Sequence, residues 1–155
     1  MIKEIEGVTD ASGCKVAIVV TRWNELITNN LLQGAKKAFL RCGGKEANLT
    51  VVWVSGAFEV PLACKKLAES GKYNGVVALG CVIRGSTPHF EYVAGEASKG
   101  IMNTSLTCGI PIGFGLLTTD NLEQAMERSG AKAGNKGAEA MQTTIEMINL
   151  CKNIS

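Results

Sequence analysis

The feature that most limits what this chain can fold into is a fourfold alternation of apolar runs with amphipathic stretches. The runs are Val16 to Val20, Leu49 to Val54, Val76 to Ile83 and the segment around Ile112 to Leu117, all rich in Val, Ile and Leu. Near-continuous apolar runs of this kind suit strands covered on both faces, and helices alternating with them suit βαβ units. The pattern therefore predicts an α/β chain with a central four-stranded parallel sheet. The length of 155 residues fits one domain, 1-155, which at that size buries roughly 68–70% of the surface its unfolded form exposes.

The intervening stretches carry helix signals. Asn24 is expected to cap a helix whose apolar positions Ile27, Leu31, Leu32, Ala35, Ala38 and Phe39 share a face, ending at Gly43-Gly44. A second helix bears Val60, Ala63, Cys64 and Leu67 and closes near Gly71, and a third bears Phe90, Val93, Ala94, Ala97 and Ile101. Asp120 and Glu123 form a capping-box pair for a short helix ending at Gly130, while Ala138, Met141, Ile145 and Ile148 line a last one. Residues 1-14 read either as an edge strand carrying Ile2 and Ile5 or as an arm reaching a neighbour.

Charge narrows the function classes. The 16 basic and 14 acidic residues are scattered and leave a net charge of +2, so no footprint for nucleic acid stands out. The opening MIKEIEGVTDASGC has neither a signal-peptide core nor a membrane span, which leaves a cytoplasmic location and no membrane partner as the expectation. Six cysteines occur without a C-x-x-C pair and with one histidine to help them, so no metal site is expected. Most sit in apolar stretches, as small buried thiols of a reducing compartment would.

Ligands of open parallel sheets bind beyond the carboxyl ends of the strands, and three of those ends are unusual here. They read Thr21-Arg22-Trp23-Asn24, Ser55-Gly56-Ala57-Phe58-Glu59 and Arg84-Gly85-Ser86-Thr87-Pro88-His89. In the last, Thr87 suits an N-cap, Pro88 a first helical position and Gly85 a close backbone approach. Free N–H groups, the positive end of a helix dipole and two hydroxyls would converge there on a phosphate or carboxylate, although an ordinary well-capped helix shows the same residues. His89 falls in the first helical turn, where the dipole disfavours an imidazolium and leaves a neutral ring able to take a proton.

Trp23 offers a face for a planar heterocycle, and Phe58-Glu59 a second ring with a carboxylate to accept hydrogen bonds. Equally, Trp23 would cover a helix end and Glu59 would complement the start of its own helix. Arg128 belongs to a last helical turn, where a cation is stabilised without any ligand; Arg22, Arg84, Lys132 and Lys136 are similar candidates. Phe114, between Gly113 and Gly115 in the fourth run, reads as core.

Taken together, SGAFE at 55–59, GCVIRGSTPHFEYV at 80–93, FGLLTTDN at 114–121 and AKAGNKG at 131–137 resemble the lumazine synthase family over nearly the whole chain. The resemblance implies a flavodoxin-like three-layer α/β/α sandwich. It also implies condensation of 5-amino-6-(D-ribitylamino)uracil with 3,4-dihydroxy-2-butanone 4-phosphate to 6,7-dimethyl-8-ribityllumazine, phosphate and water, the penultimate step of riboflavin biosynthesis, with no cofactor. By the same resemblance Trp23 stacks on the pyrimidine, where many members have phenylalanine, and Ala57, Phe58, Glu59, Cys81, Val82 and Ile83 contact the pyrimidine and ribityl chain. Ser86 and Thr87 match the phosphate-binding pair, His89 the proton-transfer residue and Arg128 the cation that holds the butanone phosphate. Lys136 matches a nearby basic residue.

The resemblance changes the reading of Phe114 and Arg128, since in the family both reach the active site of the adjacent subunit in a ring of five. Many bacterial members assemble pentamers into an icosahedral capsid, and the short AKAGNKG connection resembles theirs. Two alternatives share the fold: a non-catalytic flavin- or lumazine-binding carrier, and a shell-forming protein. The presence of Glu59, Thr87, His89 and Arg128 together favours the transferase over both.

Overall fold

A computed structural model describes residues 1–131 and 134–154. The four apolar runs form one parallel sheet of β1 (Val16–Thr21), β2 (Leu49–Val54), β3 (Gly75–Ile83) and β4 (Ile112–Thr119), in the order β2-β1-β3-β4. β1 and β3 lie inside, and every residue of β1 is buried; the outer strands β2 and β4 are only partly covered. This placement accounts for the unbroken apolar runs of the inner pair.

The helices are α1 (Glu25–Arg41), α2 (Val60–Glu69), α3 (His89–Cys108), α4 (Leu122–Arg128) and α5 (Lys136–Ile154). The side-chain alternation of the strands divides the core in two. Val16, Ile18, Val20, Val77 and Leu79 meet Leu31, Phe39, Ala125, Met141 and Ile145 of α1, α4 and α5 on one face. Val19, Val76 and Ala78 meet Val60, Cys64, Ala97 and Ile101 of α2 and α3 on the other. The result is the expected flavodoxin-like three-layer α/β/α sandwich. Its chain reverses direction of winding between β1 and β3, and the crevice at such a switch point is where open α/β sheets receive ligands.

Several local expectations shift. Asn24 does occupy the N-cap of α1, but in the left-handed region at φ 63°, and its side chain caps nothing there. Asn24 Nδ2 instead donates to the Cys81 carbonyl at 2.9 Å, tying the β1–α1 connection to the end of β3. α4 is capped by Asn121, whose Oδ1 accepts from Gln124 N–H at 2.8 Å while Gln124 Oε1 accepts from Asp120 N–H at 2.8 Å. The reciprocal pair therefore sits one residue beyond Asp120 and Glu123.

Residues 1–11 add no strand to the sheet, so the edge-strand reading fails. They run as an arm along α5: Asn149 Nδ2 donates to the carbonyls of Val8 and Asp10 at 2.7 and 2.9 Å. Met1 and Ile2 project fully into solvent. Of the six cysteines, Cys14, Cys64 and Cys81 are buried and the other three are half-buried, fewer than the apolar contexts suggested. Among the described residues no helix is long and apolar enough to cross a membrane.

Candidate active site

The cleft at the switch point is built by three strand ends. At the end of β1 and just past it, Thr21, Trp23 and Asn24 form one wall; a 3₁₀ turn over Ala57–Glu59 forms the second; Cys81, Val82 and Ile83 of β3 form the floor. His89, Tyr92 and Val93 of the first turns of α3 close it. Its volume is about 530 Å³, within the range of small-molecule sites, and its lining is mostly apolar with a few polar groups.

Each wall has a local reason for its shape. The Trp23 ring lies against Gly56, where a Cβ would overlap it, so glycine in SGAFE is what makes room for the indole at the cleft. The Trp23 N–H bonds to the Ser55 carbonyl at 3.1 Å, and Arg22 N–H to that of Val54 at 2.8 Å, which fastens the first wall to the second. Trp23 and Phe58 remain 64% and 63% exposed, large apolar faces without a cover from their own chain. Glu59 stands at the N-cap of α2 without a side-chain capping bond, so its carboxylate is not spent on its own helix. Cys81 is a different case: burial pushes its thiol up to about 11, so at neutral pH it is an uncharged part of the floor rather than a nucleophile.

The loop 84–88 differs from the capped helix start that its residues suggest. Pro88, not Thr87, occupies the N-cap of α3, and His89 is the first helical residue. Gly85, Ser86 and Thr87 are exposed, and a Cβ on Gly85 would meet nothing within 4 Å, so the loop has open space around it. Arg84 is not a free cation. It forms ion pairs with Glu91 and, at 3.0 Å, with Asp120, and its guanidinium lies 4.5 Å from the centroid of the Phe90 ring.

Phe114, Arg128 and Lys136 do not join this cleft. They meet in a second hollow of about 240 Å³ along β4, with Gly115 to Thr118. Phe114 is 51% exposed, which corrects its reading as core: β4 is an edge strand and Phe114 points off it. Arg128 ends α4 and its Nη1 donates to the Gln124 carbonyl at 3.1 Å; Lys136 begins α5 and pairs with Glu139 at 3.3 Å. Lys132 lies outside the described residues, as does Ala133 of the same motif. The predicted site residues thus left out Thr21, Asn24, Gly56, Tyr92 and Val93; the strand-end stretches held the first three, and the spacing of Tyr92 three residues after His89 on one helix face was the available signal for the α3 pair.

Among the described residues no group of three His, Cys, Asp or Glu stands close enough to hold a metal ion. The arrangement offers a mostly apolar cleft with a carboxylate and an imidazole among its lining groups.

Known proteins show the same pattern over almost the full length. The 6,7-dimethyl-8-ribityllumazine synthase of Nautilia profundicola is 58% identical over 154 residues, spanning 99% of this chain and 100% of its own. That of Nitratidesulfovibrio vulgaris is 56% identical over 153 residues, 99% of this chain and 98% of its own. That of Campylobacter jejuni is 58% identical over 143 residues, 92% and 93%. The model of the family described as 6,7-dimethyl-8-ribityllumazine synthase matches residues 13–152, a span that contains the cleft and the β4 hollow alike. With its parallel sheet, its switch-point cleft and this similarity, the chain belongs to the 6,7-dimethyl-8-ribityllumazine synthase family.

Proposed function

We propose that this transferase of riboflavin biosynthesis works as a single domain, 1-155, that supplies one half of each active site, with the other half coming from an adjacent copy. The cleft takes 5-amino-6-(D-ribitylamino)uracil: Trp23 stacks on the ring, Phe58 flanks it, and Glu59 accepts hydrogen bonds from the ribityl hydroxyls. Ala57, Cys81, Val82 and Ile83 line its edge. Ser86 and Thr87 bind the phosphate of 3,4-dihydroxy-2-butanone 4-phosphate together with Arg128 and Lys136 of the neighbour, and Phe114 of that neighbour covers the heterocycle.

The observation that carries this reading is the division of the residues into two hollows, with the large faces of Trp23, Phe58 and Phe114 left in water. A second copy brought β4-first against the cleft would join the cations to His89 and cover all three rings. Self-association into pentamers, with or without a further icosahedral capsid, follows as the expected assembly, and the cytoplasm as its place.

The reaction begins with attack of the pyrimidine amine on the butanone carbonyl. The amine nitrogen bonds to the carbonyl carbon, and water leaves to give an imine. His89 takes a proton from carbon as the C–O bond to phosphate breaks, and inorganic phosphate departs. Ring closure with loss of water completes the lumazine. The amine is already nucleophilic, so most of the acceleration comes from holding two substrates together and from cations placed where the phosphate charge develops.

Mixing the two substrates with the protein tests the reaction. Lumazine absorbance and free phosphate should rise together in equal amounts. Binding of the heterocycle without phosphate release would overturn it in favour of a carrier.

A further inference from the structure

We propose that Asn135 is the positioning residue that sets Arg128 and Lys136 relative to each other, an inference that rests on reading those two cations as the phosphate-binding pair. Asn135 precedes Lys136 in the chain, and Ser129 follows Arg128. Residues 129 and 135 form an isolated antiparallel bridge, so the two cations leave adjacent points of one short pairing.

The Asn135 carboxamide is used on three sides. Its Nδ2 donates to the Asn30 carbonyl of α1 at 3.0 Å and to the Ser129 carbonyl at 3.2 Å. Its Oδ1 accepts from Ala138 N–H at 3.1 Å, which caps the first turn of α5. One side chain thereby joins the end of α4, the start of α5 and the middle of α1. The fit is close: a Cβ on Gly34 would overlap the carboxamide, and one on Gly137 would lie 3.0 Å from Oδ1.

Only a short side chain with two donors and one acceptor at its tip meets these demands, which is the inventory of asparagine. Aspartate has the same shape but sets a carboxylate oxygen against two carbonyl oxygens. Asn135 lines no part of the hollow that holds Phe114, Arg128 and Lys136, so it acts on substrate only through its neighbours. A bound phosphate reads the spacing of two cations steeply, because displacement of a positioning group by about 1 Å can cost ~10²-fold.

Steady-state kinetics and melting curves of the wild type, Asn135→Asp, Gly34→Ala and Arg128→Ala decide the matter. Gly34→Ala displaces the carboxamide from α1 while adding a good helix former there, so it reports even if Asn135→Asp does not fold. Both variants should raise KM for the butanone phosphate by about tenfold or more, as Arg128→Ala should, with KM for the pyrimidine changed less than about twofold. A raised KM in Arg128→Ala beside unchanged values in Asn135→Asp and Gly34→Ala, whatever their melting temperatures, overturns the positioning role alone. An equal rise for both substrates in those two variants overturns it as well. An unchanged KM in Arg128→Ala overturns the phosphate-binding reading and this inference with it.

Discussion

Trp23, Phe58 and Phe114 are large apolar side chains that the folded chain leaves more than half exposed. Burying such a side chain fully from water gains about 1.5–3 kcal/mol, and these three, bordering two hollows, have part of that still to gain. His89 supplies the one imidazole that lines the cleft. Replacing it with alanine should lower turnover by about 10²–10⁴-fold with little change in pyrimidine binding. Stopped-flow absorbance of the lumazine product measures this, and a fall of less than about fivefold would leave His89 a structural residue. At this scale the sequence was only partly readable. Trp23, the 57–59 turn and His89 fall at strand ends, where a pattern argument looks. Phe114 was hidden because a phenylalanine between two glycines in an apolar run looks the same on an edge strand as on a buried one. Asn24 was misjudged because asparagine serves both as an N-cap and in the left-handed region, and neighbours distant in sequence, here Cys81, decide between the two.

At the level of elements, Arg84 ties the end of β3 to the end of β4 through Asp120 and to the first turn of α3 through Glu91. It thereby fixes the ends of the loop that presents Ser86 and Thr87. The hydrogen bond from Arg84 holds the Glu91 carboxyl below the usual glutamate range. A carboxyl depressed in the folded state adds stability above its unfolded value and loses that contribution as pH falls through the folded one. Arg84→Gln should therefore melt below the wild type at pH 7, and the gap should shrink as pH drops below about 4. A gap that persists unchanged at low pH would mean that stacking of Arg84 on Phe90, not ion pairing, makes the difference. Although α3 and α5 run on to Cys108 and Ile154, past the last positions that the pattern marked, the strands were legible to within two residues and the helices by their buried positions, because periodic burial repeats along each of them. Their caps were not: Asp120 and Asn121 are both good caps, and the ion pair that claims Asp120 comes from 36 residues away.

For the whole molecule, the separation of the two hollows has the largest consequence. The four-stranded parallel sheet and its two covered faces were readable from the order of apolar runs, since only that architecture buries them. The partition of Arg128 and Lys136 away from the cleft was not readable from spacing, because no periodicity reports which end or edge of the sheet a helix terminus will border. The resemblance implied a place at another copy's site for Phe114 and Arg128, and the structure shows Phe114, Arg128 and Lys136 together in a hollow apart from the cleft. The central claim is that the cleft of one copy is completed by the β4 hollow of another. The most direct measurement mixes two crippled chains, His89→Ala and Arg128→Ala, unfolded together and refolded into common assemblies. If sites are shared between neighbours, a fraction of them pairs an intact cleft with an intact cation, and an equal mixture should recover about a quarter of wild-type activity. A mixture no more active than the two variants assayed apart would contradict the account.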